Sequence, residues 1–275
     1  MSSTTIRRRV HKITQAKFFD KYALYQKAVQ SSDTDVLFLR QIYQELRKKE
    51  PRVFREDFCG TFALSCEWVK LNSRNKAHGI DLDPEPLGYG KQNNLKKLKE
   101  AQQKRVHLIE GDVLTSVLAP ADISVAMNFS YFIFKTRLLM KKYFQNVHRA
   151  LKKDGLFVLD IFGGSLCYQK NEEKNVGRKF TYYWHQEGFD PVSNEAVFHI
   201  HFRLKNQKKI EQVFSYDWRL WSIPELKELL EEIGFKKTHV YWEGTTRKGE
   251  GDGEFIRVEK VEACQAWIAY IVAEK

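Results

Sequence analysis

Residues 51–165 alternate between short apolar runs and stretches of helical spacing, and this alternation limits the fold more than any other feature of the chain. The runs are Val53-Phe54 leading into Glu56, Ala77 to Ile80 ending at Asp81, Val106 to Ile109, Ile123 to Met127, and Leu156 to Ile161. Between them lie a helix over Ala63 to Leu71, a helix starting at Pro84 and continuing through Leu95 and Leu98, and a helix that buries Met140, Phe144, Val147 and Leu151 before Asp154-Gly155 closes it. Strands that alternate with helices build parallel βαβ units with right-handed crossovers. The expected fold is α/β, a doubly wound and mostly parallel sheet whose cofactor-binding core spans 51–165.

The flanks read differently. Residues 1–50 form a helical N-terminal cap, with Phe18, Phe19, Tyr22 and Tyr25 at helical spacing, then Val36, Leu39, Ile42, Tyr43 and Leu46, stopped by Pro51. After Gly163-Gly164, residues 166–220 read as an inserted antiparallel sheet over the substrate, with strands at Phe180 to His185, Ala196 to Leu204 and Gln212 to Trp218. Phe198, Ile200, Phe202 and Leu204 share one face there, while His199, His201 and Arg203 share the other, read as solvated. Residues 221–275 complete the core. Ser222 and Glu225 form a capping box around Pro224, Leu226, Leu229, Leu230 and Ile233 form the apolar stripe, and Gly234 ends the helix. Lys237 to Trp242 reads as a strand, Gly244 to Gly253 as a polar mobile loop, and Ala266 to Val272 as the final strand.

Composition removes several classes. With 43% hydrophobic and 29% charged residues the chain is neither disordered nor fibrous. No apolar run reaches the roughly 18 residues of a membrane span, and the N-terminus has no apolar signal core. Cys59, Cys66, Cys167 and Cys264 lack zinc or disulfide spacing, so reduced thiols in a cytoplasmic protein are expected. The net charge of +11 allows a nucleic-acid partner, an anionic substrate or simple solubility. Its densest cluster, Arg7-Arg8-Arg9 with His11 and Lys12, falls in a terminal tail, while lysines such as Lys96, Lys97 and Lys99 solvate helix faces.

Three strand ends carry chemistry. Arg55-Glu56-Asp57-Phe58-Cys59-Gly60-Thr61-Phe62 places an acid at the end of the first strand and a glycine turn before a helix. Ligands of doubly wound sheets bind at such carboxyl ends, where helix N-terminal amides suit an amino-acid carboxylate. In Gly79-Ile80-Asp81-Leu82-Asp83-Pro84, Asp81 falls 25 residues after Glu56, close to the spacing of a ribose-binding acid. Asp83 is the better candidate for a helix cap, which leaves Asp81 for a ribose diol. In Glu110-Gly111-Asp112-Val113, a carboxylate and the next backbone N–H can read adenine, although an Asx turn would use the same residues.

The three loops occur in this order, each after a strand, and the chain thereby resembles the class I S-adenosylmethionine-dependent methyltransferases, with their Rossmann-like fold. The resemblance runs from about Val53 to Ile161 and resumes at Trp218. It implies that Arg55, Glu56, Cys59 and Gly60 hold the methionine part of S-adenosyl-L-methionine. Asp81 and Leu82 would then hold its ribose, and Asp112 and Val113 its adenine. Phe58 and Phe62 depart from the family pattern, which commonly has two further glycines there. The Asp57-Phe58-Cys59-Gly60-Thr61 stretch, with Asn128-Phe129-Ser130-Tyr131 and Phe162-Gly163-Gly164, is similar to a bacterial subgroup of these enzymes. By the same resemblance Asn128 and Ser130 face the cofactor, and Asn128 and Tyr131 form the methyl-transfer zone. Tyr25 is a further cofactor contact if its helix closes over the site, and otherwise a packing residue with Tyr22.

Methyl transfer from a sulfonium is an in-line displacement that needs alignment above all, and a base only if the acceptor is protonated. The inserted sheet favours a small-molecule acceptor. The alternatives are an RNA or protein methyltransferase using the basic surface, and a non-catalytic binding protein. Nucleic acid is the less favoured partner, since no Asn/Asp-Pro-Pro-aromatic signature follows the fourth strand. His199 and His201 lack a third ligand, so no metal is expected. The acceptor, the methylated atom and the oligomeric state are not encoded in any motif.

Overall fold

The computed structural model describes residues 19–246 and 251–275. Phe18 and the basic cluster Arg7-Arg8-Arg9 with His11 and Lys12 lie outside the described residues. In chain order come α1 (Lys21–Val29), α2 (Ser32–Arg47), β1 (Val53–Asp57), α3 (Ala63–Leu71), β2 (Lys76–Asp81), α4 (Pro84–Asn93), the short α5 (Glu100–Gln103), β3 (Val106–Glu110), β4 (Ala121–Ala126), α6 (Arg137–Ala150) and β5 (Leu151–Gly163). Then follow β6 (Asn171–Val176), β7 (Phe180–Asp190), β8 (Glu195–Leu204), β9 (Ile210–Arg219), α7 (Ile223–Ile233), β10 (Lys237–Thr245), β11 (Gly251–Val258) and β12 (Trp267–Glu274).

The period-two geometry of a strand sorts the core into two layers. On β5, Leu156 and Val158 join one apolar layer with Val36 and Leu39 of α2, Trp68 of α3 and Leu87 of α4. Phe157, Leu159 and Ile161 join the other, with Met140 and Phe144 of α6 and Leu226 and Leu229 of α7. Burial on both faces is why these strands read as unbroken apolar runs.

The main sheet has the order β11-β10-β12-β5-β4-β1-β2-β3. β3, β2, β1, β4 and β5 are mutually parallel, while β12 lies antiparallel between β5 and β10. The chain therefore winds outward from β1 to β3, returns across to β4, and winds the other way. The reversal opens a crevice at the carboxyl ends of β1 and β4, the place where doubly wound sheets bind ligands. The second sheet, β6-β7-β8-β9, is an antiparallel meander. Its Ala196, Phe198 and Trp218 enter the layer that contains α6 and α7.

Several expectations need correction. The helix from Pro84 ends at Asn93, and Leu98 is buried outside it. Asn94, the residue that caps this helix end, donates its side-chain amide to the Thr61 carbonyl at 2.8 Å. Leu151 begins β5 instead of closing α6, and Asp154-Gly155 lies within that strand, whose pairing with β4 is irregular between Ala121 and Ile123. The segment read as a loop over Gly244 to Gly253 is partly strand: β10 reaches Thr245 and β11 begins at Gly251. β11 gains its place through Phe255, whose ring lies 4.6 Å from Tyr270 and 5.3 Å from Phe38. β6 was not anticipated at all, because Asn171-Glu172-Glu173-Lys174-Asn175-Val176 is a polar edge strand without periodic apolar residues. His199 and His201 are buried, so only Arg203 of their face is exposed.

Candidate active site

The first strand-to-helix turn is held in an unusual backbone. Phe58, Gly60 and Phe62 have φ of 57°, 50° and 46°. Left-handed backbone costs a non-glycine residue about 1–2 kcal/mol, and the phenylalanines offset this by packing. Phe62 is fully buried, and the Phe58 ring lies 5.6 Å from Tyr143 and 5.9 Å from Phe134. The departures from glycine thus keep the backbone that glycine would supply. At Gly60 itself no heavy atom of the described residues, its chain neighbours aside, lies within 4 Å of where a Cβ would stand, which leaves an open cradle beside the main chain.

Glu56, buried at the end of β1, accepts from the Ser65 N–H at 2.9 Å and from the Ser65 hydroxyl, which ties the strand to the first turn of α3. Burial pushes its carboxyl up to about 8 despite these donors. Asp81 is the junction of the three loops. One carboxylate oxygen accepts from Gly60 N–H at 2.6 Å, the other accepts from Asp83 N–H at 2.9 Å, and its carbonyl accepts from Gly111 N–H at 2.9 Å. Asp83 caps α4 by accepting from Glu85 N–H. Asp112 is exposed and accepts from Leu114 N–H at 2.8 Å, Val113 is buried, and Leu82 is 71% exposed.

Arg55 and Cys59 point elsewhere. Arg55 and Asp57, both shut from solvent, pair at 2.7 Å, and Tyr143 donates to the second Asp57 oxygen at 2.9 Å. Cys59 is buried beneath Gly79, with its thiol pushed far up by desolvation.

At the end of β4, Asn128 and Phe129 both have φ of 58° and donate their N–H groups to Asp160 at 2.5 and 2.9 Å. Two consecutive left-handed residues aimed at one carboxylate are backbone strain of the kind concentrated at functional sites. Ser130 donates its hydroxyl to the Met127 carbonyl, and Tyr131, fully buried, donates to the Asp160 carbonyl at 2.8 Å. The Tyr131 phenol is therefore spent inside the core, away from any open space.

A cavity of about 620 Å³ lies over these strand ends. Its wall joins Glu56 of β1, Asn128 after β4 and Asp160 of β5 to Tyr25 of α1 and to Trp184 and Trp218 of the second sheet. Of the residues singled out from sequence, Tyr25, Glu56 and Asn128 line it. Gly60, Asp81 and Asp112 lie along the adjoining loops, and Asp81 acts electrostatically on Glu56. His199, His201 and Arg203 face away from the cavity, while Ile200 between the histidines lines it. Glu172, His185 and His201 bring ligand atoms within 4.8 Å of one another. His201 Nδ1, however, accepts from Gln212 N–H at 2.7 Å, so its Nε2 carries the proton and faces His185 Nδ1 at 3.2 Å. That cluster is a hydrogen-bond chain, with no ring nitrogen of His201 open to a metal.

No family model and no curated protein matches the chain. Solved structures do. A S-adenosylmethionine-dependent methyltransferase from Clostridium acetobutylicum superposes with a TM-score of 0.63 at 16% identity, covering 92% of this chain and 96% of that one. An amino pentose methyltransferase from Micromonospora echinaspora, with S-adenosylmethionine bound, gives 0.65 at 13% identity over 94% and 98%. A sugar N-methyltransferase from Streptoalloteichus gives 0.61 at 14% identity over 100% and 98%. The likeness shows the fold. Among the described residues no helix is long and apolar enough to cross a membrane.

Asp160 was missed in the sequence, although it left a trace. It is the one charged residue in Leu156-Phe157-Val158-Leu159-Asp160-Ile161-Phe162, an otherwise apolar strand. Burial pushes its carboxyl up to about 7. Asp35, Glu173 and Glu243 also line the cavity, and no local motif marks them.

Proposed function

We propose that the chain is an S-adenosylmethionine-dependent methyltransferase whose acceptor is a small molecule. The observation that carries this reading is the cavity that joins the β1 end to the β4 and β5 ends beneath a second sheet. Its volume is that of a small-molecule site. The fold of the neighbours supports it, and two of them act on sugars by their own descriptions.

The residues fit the cofactor. Gly60 leaves open space beside a left-handed main chain, so a ligand can approach the backbone closely. Asp81 is half-buried and keeps lone pairs beyond the two N–H groups it accepts, which can take ribose hydroxyls. Glu56 borders the methionine end, with Asp112 and Val113 at the adenine end. When bound, S-adenosylmethionine supplies a methyl group already activated on sulfur. The protein's own task is to hold the acceptor in line and to exclude water, and the presence of Asn128, Tyr25 and aromatic residues on the cavity wall supports giving that task to them.

The test is calorimetry with S-adenosylmethionine and S-adenosylhomocysteine. The wild type is expected to bind both, and Asp81→Ala to bind about ten- to hundredfold more weakly, the equivalent of about 1.5–3 kcal/mol. Unchanged affinity in the variant would remove Asp81 from the site, and no binding by the wild type would end the proposal.

A further inference from the structure

The cavity is lined against the grain of the molecule. The chain has 46 Lys and Arg against 35 Asp and Glu, yet among the described residues the wall contains Asp35, Glu56, Asp160, Glu173 and Glu243 and no Lys, Arg or His. No described residue of the wall carries a positive charge beside these acids. A second observation is independent of charge: the side-chain oxygen of Gln30, a half-buried residue of the same wall, has no hydrogen-bond partner among the described residues. Buried acceptors are nearly always paired, so an orphaned one calls for a donor. Trp184, Tyr216 and Trp267 add aromatic rings to the wall, a residue type whose ring faces attract cations. Carboxylates, an orphaned acceptor and aromatic faces together complement a group that has N–H donors and positive charge.

We infer that the methyl acceptor is an ammonium-bearing compound, a primary or secondary amine on a compact frame, held by Asp160 and Asp35 between the aromatic walls. The inference rests on the methyltransferase reading and narrows it. Glu56 is committed to Ser65 and the donor side. Asp160 is fixed at the β5 end by two backbone donors, and Asp35, in the first turn of α2, acts on it electrostatically. An alkylammonium has no lone pair. One carboxylate of the pair takes a proton from it and becomes a neutral carboxyl group beside a neutral amine. The lone pair then forms the new N–C bond to the donor's methyl group, while the electrons of the breaking C–S bond stay on sulfur. The product is again an ammonium, and the carboxyl proton passes to water.

The full chain, saturated with S-adenosylhomocysteine, is titrated calorimetrically with amino sugars and arylalkylamines. Each is paired with its hydroxyl counterpart, glucosamine with glucose and benzylamine with benzyl alcohol among them. Amines are expected to bind about tenfold or more tightly than their counterparts, as one charge-assisted hydrogen bond would give. Asp160→Asn and Asp35→Asn should each erase most of that ratio, and Asp35→Asn should leave S-adenosylhomocysteine affinity within about threefold. Should Asp160→Asn not fold, because its carboxylate holds two backbone N–H groups, Asp35→Asn carries the test alone. Binding of S-adenosylhomocysteine without an amine preference, or a preference that survives the substitutions, overturns the inference. Failure to bind S-adenosylhomocysteine overturns instead the reading beneath it.

Discussion

At the scale of single residues, β1 carries two acids with opposite fates. Glu56 faces the crevice, and Asp57, its neighbour, serves the core. Among the described residues Asp57 is the sole partner of the Arg55 guanidinium, whose two terminal nitrogens have no hydrogen bond there. Removing one member of a buried ion pair strands the other charge, so Asp57→Ala is expected to cost about 3–5 kcal/mol. Tyr143→Phe removes only one hydrogen bond to the same carboxylate and should cost about 1–3 kcal/mol. Urea titration of the two variants checks the order, and equal losses would mean that the pair is not what holds this spot. Gly60 separates backbone strain from ligand space in the same way. Gly60→Ala meets no neighbour, so stability should fall by only about 1–2 kcal/mol from its left-handed backbone. The added methyl occupies the cradle, however, and S-adenosylhomocysteine affinity should fall by more than the stability change accounts for. A calorimetric titration that finds affinity intact would place the ligand away from Gly60.

At the scale of elements, α4 backs directly onto the first loop. A Cβ on Gly90 would stand 2.4 Å from the Thr61 carbonyl and 2.4 Å from the Phe62 ring, whereas one on the exposed Gly88 would meet nothing. Gly88→Ala should therefore stabilise the protein by up to about 1 kcal/mol through helix propensity. Gly90→Ala should destabilise it and weaken cofactor binding together, because the clash is with backbone that cannot swing aside. Thermal melts with and without S-adenosylhomocysteine read both effects, and a neutral Gly90→Ala would mean that α4 is not seated against the loop. The same contrast explains what the sequence made visible. β4 and β5 were legible because burial on both faces forces continuous apolar runs, and the α7 capping box was legible because Ser222 and Glu225 satisfy each other locally. β6 and β11 were illegible because edge strands need only one paired side and carry polar residues. His199 and His201 were misplaced because polar partners, Ser215 and Glu187 for one and His185 and Gln212 for the other, let them be buried on what period two marks as the outer face. Asp160 was hidden because its partners, Asn128 and Phe129, are more than thirty residues away.

At the scale of the molecule, a buried, acid-lined cavity makes stability depend on pH in a direction opposite to that of most carboxylates. Burial holds Asp35 near about 6, Asp160 near about 7 and Glu56 near about 8, each above its ordinary value of 3.8, 3.8 and 4.5. The folded chain thus keeps protons that the unfolded chain has already released. Stability from these groups is complete below about pH 4 and is lost as pH rises through 6, 7 and 8, since each must ionise in a place that disfavours charge. The slope can reach about 1.4 kcal/mol per pH unit for each proton retained. Urea unfolding of the ligand-free protein should accordingly give a lower free energy at pH 8 than at pH 5.5, and Asp35→Asn should flatten the part of that fall nearest pH 6. A bound ammonium reverses the balance, because it supplies the positive charge that the wall lacks, so a tightly held amine should shrink the loss between the two pH values. A free energy that rises across this range would mean that burial does not hold these acids protonated in the empty cavity.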